Sequence, residues 1–203
     1  SVGALSNDTG TPGDFITNAA SQTVTGTYSG SLVAGEEIQV SANGSTWVDA
    51  SAGGGSWTAS GITLSPGSGT LSVRTVDAAG NVSSGVGHGY TLDTSGPGAP
   101  SIGSIGGPDN TVSGQPGDST VSGTAPPNSV VAIGAGGSPL GTTTANGSGS
   151  WSYVLTPDNL ATIGQGPGKT ITATVTDVSG NTATGTSSPF AVDTTAPTAV
   201  GSI

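Results

Sequence analysis

The sequence predicts an all-β protein of two tandem β-sandwich domains in an elongated arrangement. Three observations carry this expectation. A long pattern of residues occurs twice along the chain. The apolar residues within each copy alternate with a period of two, not 3.6. The composition, with 37 Gly and 13 Pro among 203 residues, suits many short strands joined by tight turns.

The repeat is most visible at its junction. Leu92-Asp93-Thr94, a Pro-bearing spacer and Ser101-Ile102-Gly103-Ser104-Ile105 return as Val192-Asp193-Thr194-Thr195-Ala196-Pro197 and Ala199-Val200-Gly201-Ser202-Ile203. The chain opens on the same pattern, Ser1-Val2-Gly3-Ala4-Leu5. This predicts one domain over 1–97, a second over 98–197 and the first strand of another over 198–203. The chain reads as a piece of a longer array.

Taken in order, Gln22-Thr23-Val24-Thr25-Gly26-Thr27 aligns with Ser119-Thr120-Val121-Ser122-Gly123-Thr124. Glu37-Ile38-Gln39-Val40 reads as an alternating strand with Ile38 and Val40 inward. Gly55-Ser56-Trp57 matches Gly149-Ser150-Trp151, and the tryptophans are expected in the core. The run Thr70–Asp77 matches Thr170–Asp177, with Leu71, Val73 and Thr75 on one face and Ile171, Ala173 and Val175 as counterparts. The offsets are 97, 94 and 100 residues, so insertions are confined to loops. Asn43-Gly44, Pro66-Gly67 and Asn146-Gly147 are turn signals that divide each copy into about seven strands. No window supports an amphipathic helix, and Pro157–Ala161 is expected to form one turn at most. About seven short strands per copy, with a buried Trp in each, predict immunoglobulin-like sandwiches.

Charge narrows the functional classes. The net charge is −10, from twelve acidic residues against Arg74 and Lys169. With so few cations to neutralise phosphates, nucleic acid and direct membrane contact are excluded as expectations. With no Cys, neither disulfides nor thiol chemistry is available. Calcium is the natural alternative staple, because hard cations take oxygen ligands from Asp, Asn and main-chain carbonyls. No signal peptide or apolar run of membrane length occurs.

Strand direction locates the carboxylates. The turn after the sixth strand, Asp77-Ala78-Ala79-Gly80-Asn81 or Asp177-Val178-Ser179-Gly180-Asn181, falls at the end of a sandwich where its first strand begins. The last strand delivers Asp93, or its equivalent Asp193, to the opposite end. Asp93 is thus expected near Asp177 and Asn181, and Asp77 with Asn81 near the preceding domain. Parity points Asp77 inward beyond the core, where a carboxylate needs a partner. Asn7-Asp8-Thr9-Gly10 and Asp14, with Asp109-Asn110 and Asp118 in the second copy, could complete calcium sites. Turn chemistry is the alternative, since Asp-x-x-Gly-Asn forms ordinary hairpin turns. Glu36-Glu37, Asp49 and Asp158 read as surface or turn residues.

Gly-x-Trp, Val-x-Asp-x-x-Gly-Asn and Val-Asp-Thr-Thr-Ala-Pro together resemble the bacterial Ig-like repeats of giant secreted, RTX-type biofilm adhesins. The resemblance spans nearly the whole chain, twice. It implies an extracellular stalk on the bacterial cell surface, monomeric, with neighbouring Ig-like repeats as partners. It also implies calcium-stiffened joints and a distal region that binds a surface. Other readings are a glycan- or protein-binding module acting through Trp47, and an accessory domain of a secreted hydrolase. The Thr-rich run 170–176 could form a surface-binding ladder, but an ordinary sandwich strand accounts for it. An enzyme is not expected: His88, the one His, has no nucleophile motif around it.

Overall fold

The alternating runs fold into antiparallel strands whose apolar faces meet. The computed structural model describes residues 1–115 and 117–198. One compact unit comprises residues 1–95 with 178–181, and a second comprises 96–177 with the described residues from 182 onward. Of the next strand expected over 198–203, residues 199–203 lie outside the described residues.

In the first unit the strands are β1 (Val2–Leu5), β2 (Ile16–Thr17), β3 (Ser21–Thr27), β4 (Glu37–Ser41), β5 (Val48–Gly53), β6 (Ser56–Thr63), β7 (Gly67–Val76) and β8 (Val86–Leu92). They hydrogen-bond in the order β1-β3-β6-β5-β4-β7-β8-β2. The first half of β5 pairs with β4 and its second half with β6, so one strand passes between the two layers. The two-residue strand β2 runs parallel to the end of β8. Ile38, Val40, Leu71 and Val73 are buried as parity requires.

The second unit contains β9 (Ser101–Ile102), β10 (Thr111–Val112), β11 (Thr120–Thr124), β12 (Val130–Ala135), β13 (Ser138–Thr144), β14 (Ser150–Val154), a helix α1 (Pro157–Ile163), β15 (Gly166–Lys169), β16 (Thr172–Thr176), β17 (Thr182–Thr186) and β18 (Phe190–Val192). The layers are β14-β11-β9 and β13-β12-β16-β17, with β10-β18-β15 as a third, short sheet. The strand count exceeds seven in each unit. Short segments such as β2 and β10 pair parallel to the last strand, and two residues are too few to show alternation in sequence.

Trp57 and Trp151 lie in the core, 2% and 4% exposed. Each faces a glycine directly across the ladder, Gly26 and Gly123. A Cβ on either glycine would collide with the indole and with a main-chain oxygen of the first strand or its flank, Ser1 or Ser101.

Helix α1 corrects the expectation of one turn at most. It runs seven residues, close to two turns. Thr156 accepts from the Asn159 N–H, and the Asn159 side chain accepts from the Thr156 N–H (3.0 Å). Pro157 occupies the first turn and Leu160 is buried. Asn replaces the usual Glu or Gln of a capping box, and the stretch is too short to display a 3.6-residue period. Thr156→Ala is expected to lower the stability of the second repeat by about 1 kcal/mol. The check is its melting midpoint, which should fall by roughly 4–8 °C.

Candidate functional site

The predicted carboxylates separate into two groups at opposite ends of the first unit. Leu92 pairs with Gly67 at the start of β7, and Val86 with Val73 towards its end. Asp93 therefore leaves one end of the sheet, and Asp77, after Val76, leaves the other.

At the Asp93 end, Thr17 ties the pieces together. Its carbonyl accepts from the Asp93 N–H (2.9 Å), and its hydroxyl donates to the Asn7 carbonyl (2.6 Å). The Thr9 hydroxyl lies 3.3 Å from that of Thr17 and accepts from the Asn18 N–H. The loop Asn7–Gly10 and the exit of β8 thus share one end. Within this same unit, the Asn181 side-chain amide donates to the main-chain oxygens of Asp93 (2.9 Å) and Ser95 (3.3 Å). Asp177 follows β16 in the second unit.

Asp8 is distinct among the carboxylates of this end. Its Oδ2 accepts from the Gly13 N–H (2.7 Å). Its Oδ1 is buried and, among the described residues, receives no hydrogen bond. Asp14, Asp93, Asp109 and Asp193 each use Oδ1 to accept from the N–H two residues on, at 2.8–3.1 Å. These are Asx turns, which hold a loop without any ligand. Asp118 accepts from both the N–H and the hydroxyl of Ser113 (2.6 and 2.7 Å). In the second unit, Asp109-Asn110 lies beside β18, because Asn110 O accepts from Ala191 N.

Asp77 finds its partner in its own turn. Its carboxylate accepts from the Ala79 and Asn81 N–H groups and from the Asn81 side-chain amide, at 2.8–2.9 Å. The Asn81 side-chain bond, then its N–H, hold the carboxyl below the ordinary aspartate value of 3.8. A lowered folded value means the stabilisation is present above the unfolded value and is lost as pH falls through the folded one. Asp77→Asn should therefore flatten the acid limb of a melting-midpoint-versus-pH curve below pH 3.8, with little change in its slope near neutrality.

Among the described residues, no three His, Cys, Asp or Glu side chains gather into a group able to hold a metal. A cation at these ends would have to draw on amide, hydroxyl, carbonyl and water oxygens beside the carboxylates, a mixture that calcium accepts.

Trp47 is half-buried, and the Arg74 guanidinium lies 3.8 Å over its ring. Arg74 also donates twice to Gln39 Oε1 (2.8 and 3.0 Å), and Gln39 donates to Asp49 (2.9 Å). One indole face is therefore covered by protein. His88 stacks on the buried Phe15, with ring centroids 3.9 Å apart. In the second unit a cleft of about 350 Å³ lies beside α1 over Leu155, Pro157 and Leu160, and none of the described residues that line it is titratable. Sequence parity could not foresee the Trp47–Arg74–Gln39 stack, which is assembled from β4, β7 and the residue before β5.

Residues 2–94 match the family model of the bacterial Ig-like domain. The first repeat is a bacterial Ig-like domain. Its tryptophan-on-glycine pairing recurs in the second repeat. No curated protein matches the chain. Among solved structures, this chain is similar to a tetra-tandem repeat in the extending region of a large adhesion protein. The identity is 24%, over 90% of this chain and 48% of that one, with a TM-score of 0.38. It is also similar to a structure bearing on host cell surface retention of a 1.5-MDa bacterial ice-binding adhesin. There the identity is 26%, over 95% of this chain and 63% of that one, with a TM-score of 0.43. The BSP domain of a biofilm-associated protein is 23% identical over 97% of this chain and 30% of its own, with a TM-score of 0.33. This chain thus spans less than two thirds of each of these three. Among the described residues, no helix is long and apolar enough to cross a membrane.

Proposed function

We propose that the chain is a pair of extender repeats in the stalk of a large bacterial cell-surface adhesin, outside the cell, and that calcium stiffens its joints. The family of the first repeat and the recurrence of its pattern support the stalk. The metal rests on one observation: Asp8 Oδ1 is buried and has no donor. A carboxylate oxygen taken from water needs compensation, and a divalent cation supplies it.

Asp8 and Asp93 would hold the ion, with the Asn181 amide oxygen and main-chain and water oxygens completing its shell, and Asp177 would act through the turn that carries Asn181. Asp77 and Asn81 would serve a repeat before the first, and Asp109 with Asp193 one after the second. Asp14 would act in the Asp8 loop. Bound calcium supplies positive charge that lets several oxygens converge without repulsion. The residues themselves do the positioning: Thr17 fixes the loop against the strand exit, and the Asx turns fix the main chain around it. The Gly and Pro of 94–100 would flex when the ion is removed.

Small-angle scattering and a melting curve, each with millimolar calcium and with chelator, test this reading. Calcium should lengthen the maximum dimension and raise the midpoint, and chelator should reverse both. If neither quantity moves, the calcium joint is wrong and the stalk is stiff, or flexible, without metal.

A further inference from the structure

We propose that Asn146 is a site of spontaneous covalent modification by water, becoming aspartate and isoaspartate, and that Asn43, in the Asn-Gly turn between β4 and β5 of the first repeat, is held less reactive. Both turns read Asn-Gly-Ser, so the reacting residues are the same and the difference argued is in how each turn is bonded.

The reaction needs a free main-chain nitrogen and an electrophilic side-chain amide. In the Asn146 turn the nucleophile is Gly147 N. Among the described residues its N–H makes no hydrogen bond, and both residues are exposed. The electrophile is activated. Asn146 Oδ1 accepts from the Ser148 hydroxyl (2.7 Å), the Ser148 N–H (3.0 Å) and the Ser150 N–H (3.0 Å). These donors lie where negative charge develops when the amide carbon is attacked, the arrangement that stabilises an oxyanion. The same Asx turn folds the side chain back over the following peptide.

The Asn43 amide is polarised similarly: its Oδ1 accepts from the Ser45 hydroxyl and from the Ser45 and Thr46 N–H groups at 2.8–3.0 Å. Its nucleophile is not available. Gly44 N–H donates to Ser41 Oγ (2.9 Å), and Ser41 is only 1% exposed. Breaking that bond before attack raises the barrier by the value of one hydrogen bond, about tenfold in rate.

The steps balance with water as the sole co-reactant. Gly147 N bonds to Asn146 Cγ while the Cγ–Nδ2 bond breaks. The proton from Gly147 N passes through solvent to the departing nitrogen, which leaves as ammonia. Water then opens the cyclic imide. Cleavage between Cγ and Gly147 N yields aspartate, and cleavage between the Asn146 main-chain carbonyl carbon and that nitrogen yields isoaspartate. Isoaspartate adds a methylene to the main chain, which disturbs the Asn146 N–H to Ser150 O bond (2.9 Å) that closes the turn between β13 and β14.

The full chain, incubated folded for weeks in mildly alkaline buffer, is to be digested and its peptides quantified by mass spectrometry, with isoaspartyl methyltransferase labelling as a second readout. Asn146 is expected to convert about tenfold faster than Asn43. Ser41→Ala, which frees Gly44 N–H, should raise the Asn43 rate by about the same factor and leave Asn146 unchanged. Gly147→Ala, whose Cβ would meet no atom within 4 Å, should slow Asn146 with the melting midpoint preserved. Equal rates at the two sites would overturn the proposal. So would an Asn146 rate insensitive to Gly147→Ala, or conversion of Asn146 only after the chain is unfolded in urea.

Discussion

Gly123→Ala is expected to destabilise the second repeat by about 3 kcal/mol, lowering its melting transition by roughly 15 °C. The reason is geometric. Gly123 lies opposite Trp151 in the ladder, and the indole rests where a side chain would stand. A Cβ there would also strike the main-chain oxygen of Ser101, the first residue of β9. The indole cannot retreat, because it is 4% exposed and packed in the core, and interiors at crystal density yield only at a cost. The edge strand β9 is then the part that gives way. Gly26→Ala should do the same to the first repeat through Trp57 and Ser1. Gly89→Ala is the control, since its Cβ would meet nothing within 4 Å. Calorimetry of the three variants checks this. Equal midpoints for Gly123→Ala and Gly89→Ala would mean that the sheet opens to admit the methyl at no cost.

This trio also shows what the residues made legible. The tryptophans were readable as core, and the glycine four residues into each Thr-x-x-Gly-Thr motif recurs at the matching place. What pairs them is register, which follows from turn lengths that sequence alone does not specify. The inward faces of β4, β7 and β16 were readable because one face of each is buried, and a period of two marks such a face. Helix α1 was not, since its cap uses Asn159 in place of a longer side chain and it spans only seven residues. Direction of travel along the sandwich was enough to send Asp77 and Asp93 to opposite ends. The state of each carboxylate was not readable. Asp-x-x-Gly-Asn looks the same whether it binds an ion or only itself, and in the first repeat Asp77 is bonded by its own turn. Asp8 and Asp14 looked equivalent too. Burial of a single oxygen, set by packing across the loop, distinguishes Asp8 from the rest.

Asp8→Asn is expected to reverse its effect on stability with calcium. The variant keeps an oxygen to accept from Gly13 N–H and removes the charge from a site where one carboxylate oxygen is buried without a donor. In chelator its first repeat should therefore melt no lower than the parent. With calcium at a hundredfold excess over its dissociation constant, the parent gains about 2.7 kcal/mol of stability. That corresponds to a rise of roughly 10–20 °C for a domain of this size. The variant lacks a formal charge at the ligand and should gain little, so the order of the two midpoints inverts. Asp49→Asn, at an exposed carboxylate that accepts from Gln39 Nε2 (2.9 Å), should follow the parent in both conditions. If Asp8 serves only to bind Gly13, its replacement costs the same small amount with or without calcium, and the two melting curves stay parallel. Parallel curves would assign the buried oxygen to loop structure alone and remove Asp8 from the calcium joint.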